Sequence, residues 1–306
     1  MPRRVALCLL LCLVRWLPLC AQSFGWTWIG APSAEAGQQY WFRRTYTHLG
    51  ALRRATLRVA TTGWVQVYVN GRRVCTDPLL PLRVAGDARA LARNFDVTPF
   101  VRTDSVTVAL WYAPLAADTA ARGCQVAATL FGTDADGHAF SLHSDAGWMC
   151  RPAPGGFAAG EGWWADGRGE RDEWTDGASL RALWRPAVED TLPVCTPVSD
   201  APGRWRLRRV VAASVSAGAH GLSCHFPYPF RGLLRATLRG ARPDAALRLG
   251  PWLTYVCSGE MDEQPCLRFS PLRLDHLDIE GGVWLTPDVV QGVEGLELEP
   301  FVDMTF

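Results

Sequence analysis

The sequence predicts an all-β protein made of two β-sandwich, jelly-roll-like domains joined by an irregular connector rich in Trp and Gly. Three observations lead to this fold class. Short segments alternate apolar and polar residues, turn residues separate these segments, and no stretch repeats its apolar residues with a long helical period. Short alternating strands with regular turns are typical of antiparallel sandwiches.

The first predicted domain spans residues 22–200. Apolar and polar residues alternate in ATLRVAT, WVQVYV and SVTVALWY. Asn70-Gly71 directly follows the second of these segments, and a type I′ turn needs φ > 0 at both central positions, which Asn and Gly tolerate. A hairpin is therefore predicted there, and a second one is predicted around the turn TDADG, between strands at 126–131 and 139–143.

The composition of the chain changes twice after residue 145. Residues 146–200 are rich in Gly, Pro, Trp and charge, which predicts an irregular connector. From Trp205 onward short apolar segments resume, and they predict a second, smaller β-sandwich over residues 201–306. Its expected strands lie at 233–238, 246–249, 267–269, 277–279 and 296–298.

The N-terminus predicts a secretory signal over residues 1–21. It has a basic start, a short apolar run over residues 5–14 and the small residue Ala21 as a cleavage point. The protein is therefore expected to be secreted or periplasmic. Lipid anchoring at Cys20 is less favoured, because Leu19 is not the small residue expected before a lipid-carrying cysteine. The remaining sequence offers no stretch long enough to cross a bilayer.

The charged residues exclude several kinds of chemistry. All 31 basic residues are arginine, so the chain has no lysine for a Schiff base, a pyridoxal phosphate anchor or a phosphate-binding loop. The net charge is +1 and the arginines are scattered. Nucleic acid is therefore not an expected partner, because binding to phosphates needs a clustered basic surface.

The chain has ten cysteines, three of which lie in the predicted signal. Cys257 and Cys266 are the closest pair in the remaining chain, and the turn-like SGEMDEQP lies between them. We expect them to form a disulfide in an oxidising compartment. No Cys and His spacing suggests zinc.

The segment GEGWWADGRGERDEW combines aromatic rings with carboxylates. Tryptophan faces stack on the apolar faces of sugars, and carboxylates accept hydrogen bonds from hydroxyl groups. The alternative is a solvated connector held by salt bridges, and catalysis is the least favoured reading. Since side chains alternate along an extended strand, we expect one of the two adjacent tryptophans to be buried and the other exposed. The candidate carbohydrate-binding residues are Glu161, Trp163, Trp164, Asp166, Arg168 and Trp174.

Several motifs carry a family resemblance. WTWIGAP, YWFRRTY, VQVYVNGRRV, FDVTPFV and VTVALWYAP occur in this order. The series resembles the galactose-binding-type jelly roll of many glycoside hydrolases, and more narrowly the N-terminal domain of bacterial alpha-L-rhamnosidases. SDAGW, GEGWWADGR and LWRPAVED are similar to features that follow that jelly roll. The family usually has Tyr-Asp-Ala-Arg after Gly-Glu, where this chain has GWWADGR. FPYPFRGLLRATLRG and ALRLGPWL resemble the opening of the next β-sandwich in those enzymes.

The resemblance implies accessory domains without a reaction centre. In the rhamnosidases an (α/α)6 catalytic barrel follows the two sandwiches, and nothing in these 306 residues predicts that barrel. The chain is therefore expected not to be an enzyme. The favoured function is non-catalytic recognition of a glycan, such as a rhamnose- or galactose-containing one. The alternatives are a structural or interaction protein, or an accessory subunit of a separate glycoside hydrolase chain.

No cofactor is expected, although a structural calcium ion is compatible with the sequence. Asp134 and Asp136 in TDADG are similar to a fragment of a calcium loop. The glycine comes too early and no glutamate follows at the right distance, so a hairpin turn is the favoured interpretation.

Overall fold

The computed structural model describes residues 26–75, 91–101, 104–115, 125–169, 172–176, 183–190, 198–199, 204–211, 214–218 and 221–301. The predicted all-β class is confirmed, since the helical elements of this part are short 3₁₀ turns, which include Thr98–Phe100, Gly167–Gly169 and Asp172–Trp174. None of the described helices has the length and apolar character needed to cross a membrane. The predicted signal lies outside the described residues, and the predicted domain boundary at residue 200 stays a prediction.

Strands make up most of the described chain. Those before residue 200 are β1 Trp28–Gly30, β2 Gln38–Tyr46, β3 Leu52–Thr61, β4 Trp64–Val69, β5 Arg72–Arg73, β6 Leu91–Asp96, β7 Val106–Ala113, β8 Gln125–Asp134, β9 Ala139–His143, β10 Met149–Ala158, β11 Gly162–Asp166, β12 Arg185–Pro186, β13 Val188–Asp190 and β14 Val198–Ser199. Those after it are β15 Arg204–Val211, β16 Ser214–Ala217, β17 Gly221–Leu238, β18 Ala246–Leu249, β19 Leu253–Val256, β20 Cys266–Glu280 and β21 Val290–Phe301.

The strands form two sheets. The smaller has the order β13-β1-β8-β3-β6-β14, with β9 paired to β8. The larger has the order β15-β21-β17-β20-β18-β19-β11-β10-β2-β7-β4-β5, with β12 paired to β10 and β16 paired to β17. The first sandwich forms where the smaller sheet packs on the β10-β2-β7-β4 part of the larger one. Its core is apolar, and its fully buried members include Ile29, Phe42, Leu57, Leu110, Leu130 and Trp148.

Strands β2 and β7 are buried on both faces. Successive side chains of a strand point to opposite sides, so Tyr40 and Phe42 enter the first core while Trp41 enters a second one. Trp111 of β7 joins Trp41 there, with the two ring centroids 5.7 Å apart. The second core continues into β17–β21 and includes Leu234, Leu238, Leu247, Phe269, Leu277 and Ile279. The two halves of the protein are therefore packed on one shared sheet.

Both predicted hairpins are confirmed. Asn70 and Gly71 have φ of 48° and 75°, as a type I′ turn requires, and they join β4 to β5. Strands β8 and β9 pair across the TDADG turn.

The prediction of an irregular connector over residues 146–200 is wrong for its first part, which contains β10 and β11. Strand β11 pairs antiparallel with β10 on one side and parallel with β19 on the other, so it joins the two halves into one sheet. Local sequence does not reveal these strands, because MCRPAPGGFA contains prolines and glycines that disfavour a strand. The register of β10 on β2 shifts between Pro152 and Gly156.

The expected Cys257–Cys266 disulfide is not formed. Cys257 is a fully buried thiol, and burial raises its pKa to about 12. Its backbone N–H donates to Ala245 O at 2.9 Å, whereas Cys266 lies opposite Arg235 in the pairing of β17 with β20. The loop between the two cysteines is closed instead by the buried carboxylate of Glu263, which accepts hydrogen bonds from within the loop.

Candidate functional site

A tight turn precedes strand β11. Glu161 is exposed at this turn, and its N–H donates to Ala158 O at 3.1 Å. Gly162 follows with φ of 89°, and a Cβ atom there would lie 2.7 Å from Pro251 O. Only glycine tolerates both this backbone conformation and this approach. Trp163 N–H then donates to Trp252 O at 2.9 Å, which docks the strand on the second half.

The expected alternation of the tryptophan pair is confirmed. Trp163 is 5% exposed, and its ring lies 5.4 Å from Phe157 and 6.1 Å from Phe269, measured between centroids. Trp164 is 38% exposed. Trp163 is therefore a core residue that has no face for a sugar, and Trp164 is the one of the pair that a ligand can reach.

Trp174 is misassigned as a sugar contact, because it is 3% exposed. Its ring stacks on Trp41 at 4.9 Å with an interplanar angle of 4°. Tyr68 and Trp111 meet it edge-on at 5.2 Å and 6.0 Å. Stacked and edge-on aromatic pairs of this kind are favourable beyond the area that they bury. Trp174 anchors its segment to the face of β2 and β7 that lies in the second core.

The Trp164 ring packs against strand β10 at a defined position. Trp164 lies directly opposite Gly156 in the β10–β11 pair, where a Cβ atom would approach the indole Nε1 to 2.7 Å. Trp164 also lines a cavity of ≈ 20 Å³, together with residues that include Gln39, Trp111 and Tyr255. This volume holds about one water molecule. A sugar must therefore lie on the exposed side of Trp164.

A cluster of ion pairs lies on the same strand face as Trp164, since residues two apart point to the same side. Arg168 donates to both carboxylate oxygens of Asp166, at 2.8 Å from Nε and 2.7 Å from Nη2. Its Nη1 reaches Asp244 of the second half at 2.6 Å. Arg168 therefore links the β11 segment to the β18 side of the shared sheet, and all three side chains remain partly exposed.

The hydrogen bonds from Arg168 lower the pKa of Asp166 below its usual value. The same contacts raise the pKa of Arg168. Asp166 is therefore ionised at neutral pH and can accept hydrogen bonds from hydroxyl groups. A general acid in glycoside hydrolysis needs the opposite, a carboxyl group whose pKa is raised so that it keeps its proton.

We expect the Asp166→Asn variant to lose part of the acid dependence of stability. A carboxyl group whose folded pKa is depressed contributes stability above its unfolded pKa and loses it as pH falls through the folded pKa. The contribution of Asp166 should therefore be present at pH 7 and disappear below about pH 4. Urea titrations of both proteins between pH 2 and pH 7 measure this, and curves that stay parallel over the whole range would contradict it.

Sequence reasoning missed residues from distant parts of the chain that line the small cavity together with Trp164 or pair with Arg168. Gln39 Oε1 accepts a hydrogen bond from Trp111 Nε1 at 2.8 Å, and the Arg268 guanidinium lies 5.1 Å from the Trp111 ring centroid. Asp244 is the third such residue. No local motif marks them, because only the sheet order brings β2, β7, β20 and the β18 side to this strand.

The TDADG turn brings three potential metal ligands together. Ligand atoms of Asp134, Asp136 and His138 lie within 4.8 Å of one another. Asp134 Oδ1 accepts a hydrogen bond from His138 N–H at 2.8 Å, so the turn is stabilised by its own contacts. The favoured interpretation as a hairpin turn is thereby confirmed, and these three side chains are the ones here that could hold a structural calcium ion.

These observations define an all-β protein whose two sandwiches share one sheet and whose joining strand carries a half-exposed tryptophan beside an ion-pair cluster. The chain belongs to the family of alpha-L-rhamnosidase N-terminal domains, whose family model matches residues 50–204. The predicted family resemblance is thereby confirmed. A sequence search of curated proteins found no match.

Solved structures of alpha-L-rhamnosidases share the fold. The Dictyoglumus thermophilum enzyme superposes with a TM-score of 0.81 at 15% identity, over 92% of this chain and 36% of that one. The Aspergillus terreus enzyme superposes with a TM-score of 0.77 at 16% identity, over 90% of this chain and 36% of that one. The Streptomyces avermitilis enzyme, complexed with L-rhamnose, superposes with a TM-score of 0.73 at 20% identity, over 87% of this chain and 29% of that one. This chain thus spans about a third of the length of these enzymes.

Proposed function

We propose that this protein recognises carbohydrate without catalysing its hydrolysis. The observation that carries the proposal is the half-exposed ring of Trp164, which lies on the same strand face as the Asp166–Arg168–Asp244 cluster. Its indole offers an apolar face for a sugar ring. The carboxylates and the guanidinium offer acceptors and donors for hydroxyl groups.

The packing of Trp164 favours binding because it limits the motion of the ring. The indole packs against Gly156 and helps to line the small cavity, and its strand is paired on both edges. A ligand that stacks on a ring already in place loses less conformational entropy than one that must order it. Glu161 lies three residues away at the exposed turn and adds one more acceptor.

A non-catalytic role is supported by the state of the carboxylates in this segment. Asp166 is ion-paired and has a lowered pKa, and Glu161 is on an exposed turn rather than in a cleft. Glycoside hydrolysis needs two carboxyl groups on opposite sides of the scissile bond, one of which holds a proton. Asp166 does not have the raised pKa that the protonated member of such a pair needs.

The proposal also covers where the protein acts, which glycans it binds and whether it acts with a partner. The basic start and short apolar run at residues 1–21 support export. The L-rhamnose complex of the Streptomyces avermitilis enzyme makes rhamnose-containing glycans the first ligands to test, with galactose-containing ones second. Action beside a separate hydrolase chain is the second candidate, because the solved structures that share this fold are alpha-L-rhamnosidases.

We expect Trp164→Ala to abolish or weaken glycan binding at least tenfold, a loss of about 1.4 kcal/mol. Its melting temperature should fall by no more than about 2–4 °C, the shift that accompanies about 1 kcal/mol in a protein of this size. Glycan arrays followed by calorimetric titration measure the binding.

The matched control is Trp284→Ala, which removes another half-buried tryptophan, in the loop between β20 and β21. It should retain binding. A wild-type chain that binds no glycan would favour a structural or interaction role. Equal binding by wild type and Trp164→Ala would show that recognition lies elsewhere.

A further inference from the structure

A polar patch lies on the face of β17 and β20 that points away from the second core. The pairing of these two strands places His225 opposite His276 and Ser223 opposite Asp278. Side chains alternate along a strand, and the intervening residues of both strands are buried in the second core, so these four side chains share the opposite face. The two histidines lie far apart in the sequence, so no local Cys and His spacing marks this histidine patch.

Two groups of the histidine patch already have the spacing of ligands on one metal ion. His276 Nε2 lies 3.1 Å from Asp278 Oδ2. Zinc binds imidazole nitrogen and carboxylate oxygen at about 2.0–2.2 Å, so two such ligands at the tetrahedral angle are about 3.3 Å apart. A metal ion can therefore replace the hydrogen bond between these atoms while the two side chains move very little.

His225 is in position to supply a third ligand. Its ring centroid lies 5.6 Å from that of His276, and the ring planes are inclined by 31°. Two imidazoles on one tetrahedral zinc ion have centroids about 5 Å apart, because each centroid is about 3 Å from the metal. His225 is exposed, so its side chain can turn toward a metal ion without disturbing the core.

Ser223 orients the carboxylate of the histidine patch. Its hydroxyl donates a hydrogen bond to Asp278, and this contact lowers the pKa of that carboxyl group. Side chains that bind metals are typically held by a second group in this way, which fixes their direction before the metal arrives. The patch therefore offers two imidazoles and one oriented carboxylate on a rigid pair of strands.

We propose that His225, His276 and Asp278 bind a divalent transition-metal ion of the zinc class. Imidazole ligands suit zinc, copper and nickel, whereas calcium and magnesium take oxygen ligands. Three protein ligands leave the fourth position of a tetrahedral ion to water. The ion links β17 to β20 on the solvent side of the sheet. The site shares no residue with the Trp164 surface, so it does not depend on the proposed carbohydrate binding.

The test is calorimetric titration of the metal-free full chain, without a histidine tag, with zinc chloride. We expect saturable binding, which His225→Ala, His276→Ala and Asp278→Asn should each weaken at least tenfold. All three side chains are exposed, so the variants should fold, and circular dichroism checks this. Zinc should raise the melting temperature of the wild type more than that of His276→Ala, because an ion that binds the folded state stabilises it.

The matched control is His138→Ala, which removes another exposed histidine beside a carboxylate, with Nδ1 3.3 Å from Asp134 Oδ2. It should bind zinc as the wild type does. The chain has six histidines, so their imidazole signals can be followed by NMR. Those of His225 and His276 should shift when zinc is added, and Trp164→Ala should keep zinc binding.

Three results would overturn the assignment. They are absence of saturable zinc binding by the wild type, binding by His225→Ala and His276→Ala that equals wild type, and loss of binding in His138→Ala. Zinc binding that leaves the imidazole signals of His225 and His276 unchanged would also overturn it, since the ion would then be held by other ligands. Calcium binding stronger than zinc binding at this patch would contradict nitrogen ligands.

Discussion

Replacing Trp163 by alanine is expected to lower the free energy of unfolding by about 3–5 kcal/mol, the usual cost of removing a buried tryptophan. Trp163 is 5% exposed and packs between Phe157 of β10 and Phe269 of β20. Its strand is the one that joins the β10 and β19 parts of the shared sheet. The cavity left behind would therefore lie between the two halves of the protein. Urea titration followed by tryptophan fluorescence and circular dichroism measures the loss.

The neighbouring Trp164→Ala variant is the natural control, because it removes the same side chain from the opposite face of the same strand. It should cost about 1 kcal/mol, since much of its ring is already in contact with water. Trp163→Phe should recover a large part of the stability by refilling most of the cavity. Equal losses for Trp163→Ala and Trp164→Ala would contradict the burial pattern described here.

Glu263→Ala is expected to lower the free energy of unfolding by about 3 kcal/mol or more, because it leaves several donors without a partner. Glu263 is 6% exposed. Its carboxylate accepts hydrogen bonds from Tyr255 Oη at 3.0 Å, Gly259 N–H at 3.2 Å and Ser258 N–H. Each unsatisfied buried donor costs about 1–3 kcal/mol. Thermal melts and urea titration measure the total.

The Glu263→Gln variant keeps one carbonyl oxygen and most of the volume, so its loss should be clearly smaller. Hydrogen exchange gives a local measure, since the amides of Ser258 and Gly259 should lose protection in Glu263→Ala while the core of β17 keeps it. A variant with wild-type stability would show that water replaces the carboxylate in closing this loop.

Features set by short-range rules were predictable. Asn70-Gly71 predicted a type I′ hairpin because the turn depends on the φ angles of two residues. The alternation of Trp163 and Trp164 was predictable for the same reason, since opposite faces for adjacent residues follow from strand geometry alone.

Features that depend on distant partners were not predictable. Strand β10 lacks apolar alternation and contains prolines and glycines, and it exists because β2 and β11 pair with it. The sequence suggested Trp174 as a residue that stacks on a sugar. It is buried because its ring packs on Trp41 and Tyr68, which lie far away in the chain. The same is true of a cavity between the β1–β2 crossing and β10, whose lining residues belong to separate segments.

The sequence by itself determined the all-β class, the hairpins, the family resemblance and the alternation of the tryptophan pair, because local backbone preferences and strand periodicity decide these features. Only the tertiary structure decided that β11 joins the two halves in one sheet and that Trp164 rather than Trp163 or Trp174 is exposed. It also decided that Glu263 closes the loop between Cys257 and Cys266 in place of a disulfide. The physical reason is that burial, ion pairing and hydrogen-bond satisfaction depend on which strands become neighbours, and sequence periodicity does not contain that order.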